Sequence, residues 1–273
     1  MKKTLLILTI YLAGLITAYA QERCQYKEND VVTDPVSKIT VLRSTGQPVN
    51  GVVCDYYESG KLETEFPYKN GRKEGLAMSY YDNGTLCWKT PYKNGKRDGI
   101  SMSYYYQNGE LRLKIPYKDG KIDGILMSYY RDGSLYCETP YKDDKKEGIE
   151  KWYNENGNLQ TETSYKHDKA EGFSKYYFES GKLWIETYFK DAEIDRIEKR
   201  YHENGNLSEE THYKNDKREG YSQIYTKTGQ LSVTILYNNG MPVSGTCKNG
   251  RPLTKEEISN STGVYEALCE SQK

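Results

Sequence analysis

Apolar and polar residues alternate along most of this chain, and the alternation itself repeats every 24 residues. The stretch from Gly75 to Asp98, GLAMSYYDNGTLCWKTPYKNGKRD, returns at Gly51, Gly99, Gly124, Gly148, Gly172, Arg196 and Gly220, giving eight copies. The residue after each opening position is apolar or aromatic, from Val52 and Leu76 to Tyr221. Four residues further on stands a tyrosine in every copy, from Tyr56 and Tyr80 to Tyr225. A turn closing on glycine follows (Gly60, Gly84, through Gly229), then a leucine (Leu62, Leu86, through Leu231), then Tyr68, Tyr92, through Tyr237. These even spacings place the columns on one face of β-strands, whose side chains alternate with period two. In the fifth copy the inward set reads Ile149, Lys151, Tyr153, Leu159, Thr161, Thr163 and Tyr165. The outward set reads Glu150, Trp152, Asn154, Gln160, Glu162 and Ser164. Each copy is predicted to be a β-hairpin.

The turn chemistry agrees. An Asx/Ser–Gly pair suits a three-residue loop in which a type I turn closes on a left-handed glycine. Such a loop sets Tyr80 across from Leu86, Met78 across from Trp88 and Leu76 across from Thr90. The extra residue of the third copy (YYYQNGE) falls in this turn, where it leaves the register intact.

The pattern G-x4-Y-x3-G-x-L-x5-Y-K-x-G-x3-G, carried by Gly75, Tyr80, Gly84, Leu86, Tyr92, Gly95 and Gly99, resembles the MORN repeat (membrane occupation and recognition nexus) in its longer bacterial variant. The resemblance covers residues 51–245. Departures are Arg196 for an opening glycine, Phe189 for a tyrosine, and Asp144, Asp168, Ala192 and Asp216 for the middle glycine, each expected to weaken its own loop. The resemblance implies an all-β fold: an elongated single-layer array of about eight tandem antiparallel hairpins. It also implies scaffolding, protein contact and lipid contact rather than catalysis. Bacterial chains of this type often carry the label of antitoxin in a toxin–antitoxin pair.

Composition fits a thin ribbon. Hydrophobic residues make up 36%, and 28 of the residues are tyrosine, against about 45–50% apolar residues in ordinary globular chains. Sixteen strands spaced about 4.8 Å apart would span on the order of 75 Å. Residues 1–20 hold Lys2, Lys3, an apolar run and Ala18-Tyr19-Ala20, which reads as a secretory signal peptide cleaved after Ala20. The protein is therefore expected to be exported, periplasmic or extracellular, with no transmembrane anchor. Residues 21–50 form an N-terminal lead-in and cap, with Ile39–Leu42 as a strand. Residues 246–273 form a C-terminal cap, in which Thr254 and Glu257 have the spacing of a capping box for a helix.

An exported chain permits disulfides, and six cysteines allow fifteen pairings. Cys247 with Cys269, close together in one cap, is the first pairing expected, and Cys24 with Cys54 the second; Cys87 and Cys137 are expected to be free. His202 and His212 share a hairpin, but its register puts them about 20 Å apart along the strand. Glu63, Glu65, Glu162, Glu186 and Glu210 follow the repeat, whereas catalytic carboxylates occur once, in a pocket. Lys151, Lys175 and Lys199 take the places of Met78, Met102 and Met127, and Lys199 is expected opposite Glu209. No nucleophile motif, phosphate-binding loop or metal-ligand spacing occurs, so no catalytic, cofactor-binding or metal residue is expected, and no small-molecule substrate.

Two surfaces remain as interaction candidates. Tyr57, Tyr81, Tyr105 and Tyr130 lie one residue past the tyrosine ladder and, with Tyr106, Trp152, Tyr176 and Phe178, are expected to form an exposed aromatic strip for another protein. The inter-hairpin loops, with Lys96, Arg97, Lys145 and Lys146, form a basic edge suited to an anionic membrane or glycan. An antitoxin- or immunity-type partner is a third alternative. A formal net charge of zero argues against nucleic acid.

Overall fold

The computed structural model describes residues 23–260 and Cys269. The expected signal peptide and part of the expected C-terminal cap lie outside the described residues. The described residues are nearly all-β and form two compact units, divided between Ser134 and Leu135. In the first unit the hairpins Gly51–Tyr56/Leu62–Lys69, Gly75–Tyr80/Leu86–Lys93 and Gly99–Tyr104/Leu111–Lys118 follow one another, then the strand Gly124–Tyr129. Each pairs antiparallel with its sequence neighbours. The second unit opens with Leu135–Lys142 and continues in the same way to Leu231–Asn238 and Met241–Cys247.

Tandem hairpins are thus what the periodicity predicts, and the tips match. At Asp82–Gly84 the Tyr81 N–H donates to the Thr85 carbonyl at 2.8 Å, and Gly84 sits at φ 87°. Successive hairpins are joined by two-residue turns with both residues left-handed, such as Asn70 (φ 51°) and Gly71 (φ 72°), the geometry that matches strand twist. Asp144, Asp168 and Asp216 adopt the same conformation at φ 69°, 70° and 61°. Aspartate is among the few residues that visit this conformation, and Asp168 and Asp216 also accept a backbone N–H from the preceding copy. Ala192 (φ 73°) and Arg196 (φ 75°) hold it with no such help.

The pairing corrects one expectation. Tyr80 does face Leu86, but Met78 faces Lys89 rather than Trp88, and Leu76 faces Pro91 rather than Thr90. A β-bulge at Cys87 puts one unpaired residue in the second strand, which moves every later residue to the other face. The bulge recurs in the other hairpins. The two tyrosine columns therefore lie on opposite faces. In the fifth copy Glu150 and Trp152 share a face with Thr161 and Thr163, while Ile149 and Lys151 share one with Glu162 and Ser164.

The face bearing Trp88, Thr90 and Tyr92 is covered at the terminal repeats. In the first unit the lead-in packs Val31 and Val49 against Val53, with Tyr68 alongside. Residues Cys24–Lys27 add a parallel strand to Gly51–Tyr56, and Thr40–Leu42 pairs with Val31–Thr33. In the second unit Leu253 and Ile258 of the helix region cover Val233 and Ile235. The predicted capping box is present: Glu257 N–H donates to Thr254 Oγ1 (3.2 Å), and Thr254 N–H to Glu257 Oε2 (2.8 Å). A side chain on Gly245 would meet Leu253 at 2.9 Å, which is why the last strand carries glycine under that helix.

Between the ends the covered face is floored by small hydroxyls. Thr163 and Ser174 share a hydrogen bond at 2.8 Å, as do Thr211 and Ser222 at 2.8 Å and Thr90 and Ser101 at 2.6 Å. Each pair joins one copy to the next, satisfying polar groups that are otherwise shielded.

Candidate functional site

Four recurring columns of contacts tie copies to their successors. The turn glycine or its replacement donates its N–H one copy back: Gly95 to the Lys73 carbonyl (2.8 Å), Asp168 to Lys146 (3.1 Å), Asp216 to Ile194 (3.0 Å). The aspartates also accept in return, Lys146 N–H donating to Asp168 (2.8 Å) and Ile194 N–H to Asp216 (2.6 Å). The aspartate replacements thus add a bond, contrary to the expected weakening. Acids at the end of each copy cap the left-handed turn of the next: Glu74 accepts from Asn94 N–H (2.7 Å), Glu171 from Asp191 (2.9 Å), Glu219 from Asn239 (2.7 Å).

The predicted aromatic strip is the third column. Tyr57, Tyr81 and Tyr105 donate their hydroxyls to the carbonyls of Tyr80 (2.7 Å), Tyr104 (2.8 Å) and Tyr129 (2.7 Å) in the following copy. His202 fills the same place, its ring Nε2 at 3.0 Å from the Tyr225 carbonyl, so that nitrogen carries the proton. Tyr57, Tyr81, Tyr105, Tyr130, Trp152 and Phe178 are half-buried rather than exposed; Tyr176 and Tyr106 are exposed. Tyr57, Tyr81 and Tyr105 brace the repeat because a tyrosine at this position reaches across one hairpin.

A fourth column was not read from the sequence. Cations lie against the second tyrosine of the next copy: Lys73 over Tyr92 (5.3 Å), Arg97 over Tyr117 (5.0 Å), Lys146 over Tyr165 (4.7 Å) and Arg218 over Tyr237 (5.2 Å). Arg97 also donates to the Tyr117 hydroxyl at 2.9 Å. Of the predicted basic edge, then, Arg97 and Lys146 turn onto rings, while Lys96 and Lys145 point to solvent. Lys146 Nζ also donates to Glu150 (2.7 Å), which is buried with Thr139. Burial pushes the Glu150 carboxyl up, and the bonds from Lys146, Trp152 and Thr139 together outweigh it, holding the group below its ordinary range. The signal was present in the sequence as Lys or Arg five residues after the tyrosine in four of the eight copies: Lys73, Arg97, Lys146 and Arg218.

The structure pairs Cys24 with Cys54 and Cys247 with Cys269, and leaves Cys87 and Cys137 as thiols. His212 Nδ1 bonds the Tyr221 carbonyl (2.9 Å), and among the described residues no cluster of three or more His, Cys, Asp or Glu could hold a metal. No helix of the described residues is long and apolar enough to cross a membrane.

The opposite, open face carries a column of exposed apolar groups. In the first unit Leu76, Ile100 and Ile125 are 45%, 50% and 51% exposed. In the second, Ile149, Phe173 and Tyr221 occupy the same column and are exposed too. The next column inward differs between units. In the second, glutamate and lysine alternate strand by strand in register: Glu138, Lys151, Glu162, Lys175, Glu186, Lys199 and Glu210. Lys199 therefore faces Glu210 (3.5 Å), not Glu209, because of the bulge. Tyr153 and Tyr177 donate hydroxyls to Glu138 (3.1 Å) and Glu162 (2.8 Å) of this row.

A family model described as "MORN repeat variant" matches residues 49–70, 73–94, 100–119, 122–143, 146–167, 171–191 and 197–215. No curated protein matches the chain. Among solved structures, "Crystal Structure of TcdB2-TccC3-Cdc42" aligns over 78% of this chain and 15% of that chain, at 11% identity and a TM-score of 0.20.

Proposed function

The chain belongs to the MORN repeat variant family, whose repeats are generally non-enzymatic protein- or membrane-binding scaffolds, and we propose that it is an exported scaffold that binds a protein partner along its open face. The observation that carries this reading is the exposed column Leu76, Ile100 and Ile125, contiguous apolar surface on the face that the terminal caps leave free. Two disulfides support export, since such bonds persist in oxidising compartments. Attachment to an anionic membrane or glycan through the basic edge has weaker support, because Arg97 and Lys146 are engaged by tyrosine rings and Glu150. The test is capture by tagged mature protein from a bacterial envelope extract, beside an Ile100→Asp, Ile125→Asp variant of unchanged thermal stability. A protein retained through a high-salt wash by the parent and lost by the variant is expected. Equal recovery by both, or lipid recovered only at low salt, would overturn the reading.

A further inference from the structure

Resting on that scaffold reading, we infer that the open face of the first unit takes one kind of partner: an amphipathic α-helix carrying a carboxylate once per heptad beside an apolar stripe. The first support is the unbalanced charge of this face. In the second unit each lysine of the inner column has glutamate as its cross-strand neighbour, Lys175 for instance at 3.5 Å from Glu162 and 3.8 Å from Glu186. In the first unit the same column reads Cys54, Glu65, Met78, Lys89, Met102, Lys114, Met127; Glu65 is buried and taken by the Tyr80 hydroxyl, and each lysine stands between two methionines. Lys89 and Lys114 therefore present positive charge amid apolar surface, and a partner that supplies carboxylates there completes the row that the second unit completes internally.

Dimensions select the helix. Equivalent residues recur every second strand, about 9.6 Å apart. A helix lying across the strands rises about 10.5 Å per seven residues, so one face of it meets Leu76, Ile100 and Ile125 in turn. A β-strand laid the same way returns to one face only at multiples of about 6.8 Å and falls out of step. Width agrees as well: the columns headed by Leu76, Met78 and Tyr80 span four residues of strand, about 13 Å, close to the diameter of one helix with its side chains. The surface is also ordered in advance. The Tyr104 and Tyr129 hydroxyls lie on the Met102 and Met127 sulfurs at 3.5 and 3.3 Å, and Tyr80 bonds Glu65 at 2.8 Å.

The probe is a fluorescent 21-residue helical peptide with one leucine stripe and one glutamate per heptad beside it. Controls are the same peptide with lysine for glutamate, a scrambled peptide of identical composition, and phosphatidylglycerol vesicles. Anisotropy with the full mature protein is expected to show the acidic helix binding at least tenfold more tightly than either control peptide. Lys89→Glu with Lys114→Glu should invert the preference towards the basic peptide, a reversal that unfolding cannot produce. Changing Lys151 and Lys175 to methionine should leave the preference unaltered. Equal binding of all peptides, no inversion in the double variant, or binding to vesicles alone would overturn the inference. A partner captured through Ile100 and Ile125 with no preference for the acidic helix would sink this inference and leave the scaffold reading standing.

Discussion

Glu150 shows how a single side chain in this repeat can read one way in sequence and act another. By phase it belongs to the polar set, yet it is 5% exposed and accepts bonds from Lys146 and Thr139. Its carboxyl is held below the ordinary range, so its charge stabilises the fold in full above about pH 5 and is lost as pH falls through the depressed native value. Glu150→Gln should cost about 1–2 kcal/mol at pH 7, with urea midpoints of variant and parent converging as the pH falls below the ordinary carboxylate range. Ala192 offers the opposite case. It holds φ 73° where other copies use glycine or aspartate, so Ala192→Gly should stabilise by about 0.5–1 kcal/mol, read as a higher Tm. The strain at Ala192 was legible beforehand, because the column of glycines defines the conformation. The cap from Glu74 to Asn94 was not, because nothing local says where a loop carboxylate points.

At the level of the hairpin, strands and tips were legible from period and turn chemistry, and the faces were only half so. The column Glu63, Cys87, Arg112, Tyr136, Gln160, Trp184, Ser208, Ser232 has no shared character. That lack of pattern is what an unpaired bulge residue leaves behind, and reading it as an ordinary strand position reversed everything after it. Tyr57, Tyr81 and Tyr105, expected in an exposed strip, are half-buried and bond the next copy through their hydroxyls. Tyr105→Phe removes only the hydroxyl bonded to the Tyr129 carbonyl and should cost about 0.5–1.5 kcal/mol in urea unfolding. The variant should capture partner as well as the parent does. A loss of capture at unchanged stability would return that strip to the binding surface.

Across the molecule, the terminal repeats are finished by covalent means. Cys54 and Cys247 lie in the first and last strands of the repeat region, bonded to Cys24 and Cys269 across 30 and 22 residues of chain. Loops of that length imply about 3 kcal/mol or somewhat more for each bridge. Reduction should therefore raise amide exchange in the terminal repeats well before the middle ones, as hydrogen–deuterium exchange would record. The candidate site was the least legible level. Its exposed apolar column was visible in sequence but assigned to the interior, since a strand's alternation gives no signal for which of its two faces a cap will cover.

One property of the ties reaches further. Tyr57 meets Tyr80, Tyr81 meets Tyr104, and Asn158 and Lys182 each reach the carbonyl of a tip residue one copy on. Each bond is addressed to the next copy by position, not to a particular partner. A recombination event that deletes or duplicates one whole internal copy leaves these donors opposite equivalent backbone carbonyls, with both disulfides untouched. Length is thus a heritable variable that changes in whole modules, and descendants of this gene can lengthen or trim their open face while keeping these backbone ties.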